Sequence, residues 1–215
     1  MTGRTILCFG DSNTHGTMAM RDLTDRRRFP KDQRWPQVMA AALGDGWEVI
    51  AEGHPGRNAV FDDPVEGEHK NGLRVLPALL ETHRPIDLVI VMLGTNDLKA
   101  RFSVPASDIA IGLERVVTAI GASDAGPDGA APRVLVAAPV PIEETGFLAP
   151  MFEGGAAKSR ALAPLLQDMA TRQAAGFVDL AAVAEVDAVD GIHLGAAAQA
   201  AVGAALAGAV RAAFA

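Results

Sequence analysis

The chain has 215 residues, of which 49% are hydrophobic and 21% are charged, and its formal net charge is −7. This length and composition predict one globular domain over residues 1–215 with a sizeable buried core. The acidic balance argues against binding to nucleic acid or to an anionic membrane surface, because both need clustered Lys and Arg.

Targeting and membrane signals are not evident in the sequence. The chain does not open with a basic segment followed by an apolar one, and no apolar stretch reaches the ~18 residues that a transmembrane helix needs. We therefore expect a cytoplasmic protein without a membrane partner. The single cysteine, Cys8, lies in an apolar run, so we expect a small buried side chain and no internal disulfide.

Five apolar segments have the character of buried strands. They are short and rich in Val, Ile and Leu, and most do not alternate with polar residues, as in strands covered on both faces. The predicted strands are residues 5–9, 47–51, 87–93, 133–138 and 176–180.

Segments with helical spacing of apolar residues lie between these strands. In the segment 105–120, for example, Ile109, Leu113 and Val116 fall on one helical face. Pro164 is expected to kink or split the fourth helix. The predicted helices are residues 35–43, 72–83, 105–120, 153–175 and 195–214.

The alternation of strands and helices predicts an α/β fold with a parallel sheet and helices on both of its faces. Ligands in such folds bind beyond the carboxyl ends of the strands. Long irregular segments follow most of the predicted strand ends, at residues 10–33, 53–71, 98–105 and 139–152. We therefore expect these segments to form the rim of a functional site.

Polar residues with candidate chemistry follow the first and third strands, although each also has an ordinary structural explanation. Ser12 stands in a Gly-Asp-Ser run after the first strand, and it is either a nucleophile or part of a helix cap. Asn96 stands in a Gly-Thr-Asn-Asp run after the third strand, and it is either an oxyanion donor or a turn residue. Neither run decides the function alone.

Two further clusters complete a possible catalytic set. Gly56 lies in a Gly- and Pro-rich segment after the second strand, where its backbone N–H donates to an oxyanion or the residue simply shapes a loop. Asp190 precedes His193 by three residues, so its carboxylate either orients the imidazole or caps the last helix. Together the four clusters supply a nucleophile, a base, its partner and oxyanion donors at one rim, which favours a serine hydrolase.

These clusters resemble the four sequence blocks of the SGNH (GDSL) hydrolase family, and the resemblance spans nearly the whole chain. The blocks are Gly10-Asp11-Ser12, Gly56, Gly94-Thr95-Asn96-Asp97 and Asp190-Gly191-Ile192-His193. Within that family, the runs at residues 6–12, 87–100 and 152–155 look like the bacterial arylesterase/acyltransferase branch.

The resemblance implies a flavodoxin-like, three-layer α/β/α fold with a five-stranded parallel sheet, and neither a cofactor nor a metal. It implies Ser12 as the nucleophile, His193 as the base and Asp190 as the partner of that base. The oxyanion donors would be the N–H groups of Ser12 and Gly56 and the side chain of Asn96. The substrate would be a small ester such as an aryl or alkyl acetate, cleaved through an acyl-enzyme.

The resemblance also implies a homo-oligomer, in which long loops at residues 17–33, 62–71 and 141–152 build the channel to the site. Acyltransferase or perhydrolase side activity would belong to the same branch. Further candidates for lining the substrate pocket are Asp11, Asn13, His15, His54, Asp97 and Ile192.

The residues after the nucleophile depart from this branch, whose members carry an apolar residue there and bulky aromatics soon afterwards. Here Asn13, Thr14 and His15 follow Ser12, which predicts a more polar and less crowded mouth. Because acyl transfer depends on keeping water out of the site, this argues against efficient transfer and leaves ester hydrolysis unaffected.

Three alternatives remain open on the sequence alone. A carbohydrate O-acetyl esterase would use the same triad in a more polar pocket. A non-catalytic ligand-binding protein on the same fold is disfavoured, because all the expected catalytic positions are present. A doubly wound nucleotide-binding protein would need a phosphate-binding Gly motif that the chain does not match. The five His residues show no zinc-ligand spacing.

Overall fold

The computed structural model, which describes residues 3–215, contains one sheet of five parallel strands. Their order across the sheet is β2-β1-β3-β4-β5. The strands are β1 (Arg4–Gly10), β2 (Trp47–Gly53), β3 (Leu88–Met92), β4 (Arg133–Ala138) and β5 (Gly176–Asp179). All five were predicted from the sequence with ends in error by one or two residues at most, so the parallel α/β fold is confirmed.

Helices connect the strands. They are α1 (Ser12–His15), α2 (Trp35–Leu43), α3 (Gly72–His83), α4 (Ala106–Gly121), α5 (Gly155–Arg172) and α6 (Ala196–Ala213). The five longer helices match the predicted segments, whereas the four-residue α1 was not predicted.

The sheet is covered on both faces, which gives the three layers of the predicted fold. Alternate residues of β1 point to opposite faces: Leu7 and Phe9 pack with α3, α4 and α5, whereas Ile6 and Cys8 pack with α2 and α6. All four side chains are fully buried, which explains why β1 does not alternate between apolar and polar residues. The edge strands β2 and β5 are only partly buried.

The predicted split of the fourth helix at Pro164 is wrong, because α5 runs unbroken from Gly155 to Arg172. A proline inside a helix leaves the carbonyl of the residue four positions earlier without its helical donor. Here Pro164 and that earlier residue, Arg160, are both exposed, so water can hydrogen-bond to the carbonyl.

The sequence-based statement that no segment is long and apolar enough to cross a membrane is corrected by α6. This helix has the required length and composition, although one such helix is weak evidence for a membrane span. Its buried side chains, including Val202, Leu206 and Val210, pack in the core with α2.

Close packing of α6 on α2 leaves no room for a side chain at Gly203. A Cβ there would lie 2.7 Å from Val38 Cβ and 2.8 Å from the Trp35 carbonyl oxygen. Gly208, in the same helix, has nothing within 4 Å of the corresponding position.

We expect Gly203→Ala to lower the free energy of unfolding by about 1–3 kcal/mol, because it forces two helices apart. Gly208→Ala is the matched control and should raise that free energy by up to about 1 kcal/mol through helix propensity. Urea denaturation measures both values. Equal effects of the two substitutions would contradict this packing.

Candidate active site

Ser12 lies at the carboxyl end of β1, where the chain turns directly into α1. The Asp11 carboxylate caps α1 by accepting from Asn13 N–H at 2.9 Å. The turn is possible because Gly10 and Gly53 have no side chains: a Cβ at Gly10 would lie 2.0 Å from Thr14 Oγ1. Ser12 is thereby held at the end of the sheet with only 6% of its surface exposed.

His193 and Asp190 approach Ser12 from the segment before α6. His193 Nε2 lies 3.1 Å from Ser12 Oγ, and His193 Nδ1 lies 2.6 Å from Asp190 Oδ2. The three side chains therefore form one chain of hydrogen bonds, although Ser12 and His193 are 181 positions apart in the sequence. This is the arrangement of a nucleophile, a base and an orienting carboxylate.

The Asp190 carboxylate is itself fixed by backbone donors. Its Oδ1 accepts from the N–H groups of Ile192 and His193 at 3.0 Å each, and its Oδ2 accepts from Met20 N–H at 2.7 Å. Although burial acts to raise the pKa of Asp190, these bonds and the neighbouring His193 lower it below its ordinary value. An ionised Asp190 favours the His193 tautomer with a proton on Nδ1, which leaves Nε2 free to accept the Ser12 proton.

Gly56 and Asn96 line a cavity of about 530 Å³ together with Ser12 and His193. Gly56 has φ +81°, and a Cβ there would lie 2.5 Å from Glu66 Oε2, so both the backbone conformation and the available space favour glycine. Within residues 3–215, no hydrogen-bond acceptor contacts Gly56 N–H. The Asn96 amide nitrogen lies 3.4 Å from Asp11 Oδ2, which orients the side chain.

The cavity wall is partly apolar and partly charged. The apolar side chains are Met20, Leu23, Pro55, Val65, Leu148, Met151, Phe152 and Ile192. The charged side chains are Asp25, Arg26, Arg27, Glu66, Lys70, Lys99 and Arg101. Most of these residues come from the long loops that the sequence placed at the rim. The cavity therefore offers both apolar contacts and charged groups to a ligand.

Comparison with known proteins identifies the family of this fold and site. Residues 8–201 match the model of the GDSL-like lipase/acylhydrolase family. The chain belongs to this family. It is therefore a carboxylic ester hydrolase, as the sequence resemblance implied.

Solved structures similar to this hydrolase cover nearly all of it. The native aryl esterase of M. smegmatis is 41% identical over 98% of this chain and 99% of its own, with a TM-score of 0.93. Est24, a carbohydrate acetylesterase from Sinorhizobium meliloti, is 39% identical over 98% of this chain and 100% of its own, with a TM-score of 0.94. A search of curated proteins gave no match.

Of the six candidates for lining the substrate pocket of this hydrolase, His15 and Ile192 do line the cavity. His15 Nδ1 lies 3.0 Å from Thr17 Oγ1. Partial burial, with smaller contributions from Arg28 and Arg34, lowers the pKa of His15 to about 4. His15 is therefore a neutral polar side chain at neutral pH.

Asn13 is a correction to the sequence analysis, because its side chain points away from the cavity. Its amide group donates to the Ile192 carbonyl at 3.2 Å and accepts from Leu194 N–H at 3.0 Å. Asn13 thus ties α1 to the segment that carries His193. The prediction that Asn13 makes the mouth polar is wrong, and Thr14 is buried as well.

Asp11, His54 and Asp97 are also outside the cavity lining formed by the described residues. Asp97 is fully buried and accepts from Ala59 N–H, and burial raises its pKa to about 7. Burial likewise raises the pKa of Asp11 to about 6. Asp11 and Asp97 therefore support the backbone beneath the site.

An ion network beside the site was missed by the sequence analysis. Lys99 and Arg101 both pair with Glu66, and Arg101 also lies 3.2 Å from Asp63. Asp63 and Lys99 are buried. Because Lys99 and Arg101 directly follow the Asn96 cluster, the sequence could have suggested that they lie near the site. It could not have shown that they pair with Glu66, more than thirty positions earlier.

In the part of the chain that the structure describes, no group of three or more His, Cys, Asp or Glu side chains is placed to hold a metal ion.

Proposed function

We propose that this hydrolase cleaves short-chain, acetyl-type carboxylic esters, such as aryl or alkyl acetates, through an acyl-enzyme on Ser12. The observation that carries the proposal is the contact of 3.1 Å between His193 Nε2 and Ser12 Oγ, with Asp190 on the other imidazole nitrogen. A serine hydroxyl is a weak nucleophile until a neighbouring base removes its proton. The likeness to the aryl esterase of M. smegmatis supports the ester class.

The proposed reaction has two halves. Ser12 Oγ attacks the ester carbonyl carbon while His193 Nε2 takes the hydroxyl proton, and the carbonyl oxygen becomes an oxyanion. The oxyanion collapses, the bond to the alcohol oxygen breaks, and His193 returns its proton to the leaving alcohol. A water molecule then attacks the acyl-enzyme in the same way, which releases the carboxylic acid and regenerates Ser12.

The oxyanion would be stabilised by three donors: the N–H groups of Ser12 and Gly56 and the side-chain amide of Asn96. Donors that are already oriented cost no reorganisation when the charge develops, and one such donor is worth roughly 3 kcal/mol. The support for this assignment is that Ser12, Gly56 and Asn96 line one cavity and that Gly56 N–H has no acceptor among residues 3–215.

Hydrolysis is proposed as the main reaction, and acyl transfer to another alcohol or to peroxide as a side reaction. Transfer competes with hydrolysis only where water is kept from the acyl-enzyme. Charged side chains on the cavity wall, including Arg26, Lys70 and Glu66, favour water in the cavity.

Ser12→Ala tests the nucleophile. We expect the variant to fold normally and to lose at least about 10³-fold in kcat on nitrophenyl acetate, because no acyl-enzyme can form. Ser107→Ala, at an exposed position of α4, is the matched control and should keep full activity. Undiminished ester cleavage by Ser12→Ala would remove Ser12 from the mechanism.

A carbohydrate O-acetyl esterase is the second candidate, and two observations favour it. The chain is 39% identical to Est24, a carbohydrate acetylesterase, and the cavity has seven charged side chains on its wall. Such side chains can hydrogen-bond to sugar hydroxyls. A non-catalytic binding protein is disfavoured, because the three side chains of the triad are in contact.

Comparing nitrophenyl acetate with acetylated xylose separates the two esterase candidates. Each kcat/KM is divided by the rate of the uncatalysed reaction, since the nitrophenyl ester is intrinsically more reactive. We expect the larger acceleration for the aryl acetate. A larger acceleration for acetylated xylose would assign the enzyme to carbohydrate esters and would leave the triad unchanged.

We also propose that the enzyme is a homo-oligomer, with the loops around the cavity mouth at the contact. Leu23 and Val65 stand at this mouth with 64% and 70% of their surfaces exposed, which is unusual for two large apolar side chains beside one site. Light scattering of the purified enzyme should therefore give a mass above that of one chain. A mass of 22.3 kDa, that of the single chain, would contradict this proposal.

A further inference from the structure

Lys70 is a half-buried lysine on the cavity wall that the proposed reaction does not use. Its ammonium donates to the Pro55 carbonyl at 2.8 Å and lies 3.2 Å from His54 Nε2. Its alkyl chain passes beside Gly56: a Cβ at Gly56 would lie 3.2 Å from Lys70 Cε. Among residues 3–215, the hydrogen bonds of the ammonium are with these two neutral acceptors.

The carbonyl that Lys70 contacts belongs to the same peptide unit as Gly56 N–H. In a trans peptide the carbonyl and the N–H point in opposite directions. A donor fixed on the Pro55 oxygen therefore fixes the direction of Gly56 N–H, and Gly56 lines the cavity next to Ser12. A hydrogen bond to the carbonyl also polarises the peptide, which makes its N–H a stronger donor.

This peptide needs to be held, because it lies at the centre of a β-turn. Arg57 N–H donates to the His54 carbonyl at 3.0 Å, which closes a turn over residues 54–57. Pro55 is then the second residue and Gly56, with φ +81°, is the third, as in a type II turn. Type I and type II turns differ by a flip of this central peptide, and proline at the second position is compatible with both. A flip would turn Gly56 N–H away from the cavity.

We propose that Lys70 is a positioning residue of the oxyanion hole: its ammonium holds the Pro55–Gly56 peptide in the orientation that presents Gly56 N–H to the oxyanion on Ser12. The inference rests on the proposed function, in which that N–H is an oxyanion donor. Lys70 acts through the peptide and does not contact the reacting atoms.

His54 completes this arrangement as the second acceptor of the Lys70 ammonium. Partial burial, followed by the charges of Lys70 and Arg57, lowers the pKa of His54 to about 4. Its ring is therefore neutral at neutral pH, and Nε2 can accept from Lys70. His54, which the sequence analysis named as a pocket candidate, therefore contacts Lys70 and does not line the cavity.

Lys70→Met tests the proposal, because methionine keeps most of the apolar side chain beside Gly56 and removes the ammonium. Since loss of an entire oxyanion donor costs 10²–10³ in kcat, a donor that is only misoriented part of the time should cost roughly tenfold. We expect kcat on nitrophenyl acetate to fall by that factor while KM changes by less than about twofold, since the ground-state ester carries no oxyanion. Lys70→Arg, which keeps a charged donor, should recover most of the kcat.

Lys158→Met is the matched control. Lys158 is also half-buried and its ammonium also donates to a backbone carbonyl, that of Val104, but it does not line the cavity. This variant should have the kcat of the wild type. If Lys70→Met does not fold, Lys70→Leu, which also removes the ammonium and leaves no donor, replaces it and should show the same fall.

A wild-type kcat in the folded Lys70 variant would overturn the proposal, and so would equal losses in Lys70→Met and Lys70→Arg. Labelling of Ser12 by a fluorophosphonate distinguishes this failure from failure of the proposed function. If Ser12 labels and Ser12→Ala is inactive, only the role of Lys70 is lost. If Ser12→Ala stays active, the oxyanion assignment fails as a whole.

Discussion

The hydrogen bond between Ser12 and His193 is the contact on which the rest of the site depends. It joins the end of the first strand to the segment before the last helix, and it needs both to be held to within a few tenths of an ångström. The parallel sheet supplies the common edge at which these segments meet. Asn13 then fixes their separation, because it bonds to the backbone on both sides of His193.

Backbone constraints account for the remaining geometry. Gly10 lets α1 begin directly after β1, and Gly56 allows a turn with a positive φ beside the cavity. Buried carboxylates support these turns: Asp11 orients Asn96, and Asp97 accepts from Ala59 N–H. The site is therefore built from strand ends and tight turns, and the long loops complete its wall.

Much of the fold was predictable, because the strands are short apolar runs and the segments between them carry apolar residues at helical spacing. Both patterns can be recognised in the sequence alone. Pro164 was misjudged because the cost of a proline depends on whether water reaches the freed carbonyl, which the sequence does not reveal. The apolar character of α6 was underestimated because the helix is rich in Ala and has few large apolar side chains.

The candidate site was predictable to a different degree. Ser12, Asp190 and His193 were predicted by motif and by resemblance, and the structure brings them into contact. Asn13 was misplaced because polarity alone does not say which way a side chain points. The bond from Lys70 to Pro55 could not be foreseen, because it closes a long irregular segment, residues 53–71, whose path the sequence does not reveal.

The most direct measurement is a crystal structure of the enzyme after reaction with a phosphonate ester inhibitor, whose adduct resembles the tetrahedral intermediate. The account predicts a covalent bond from phosphorus to Ser12 Oγ, with the phosphonyl oxygen within hydrogen-bonding distance of Gly56 N–H and the Asn96 amide. An adduct on another residue, or a phosphonyl oxygen turned away from both donors, would contradict it.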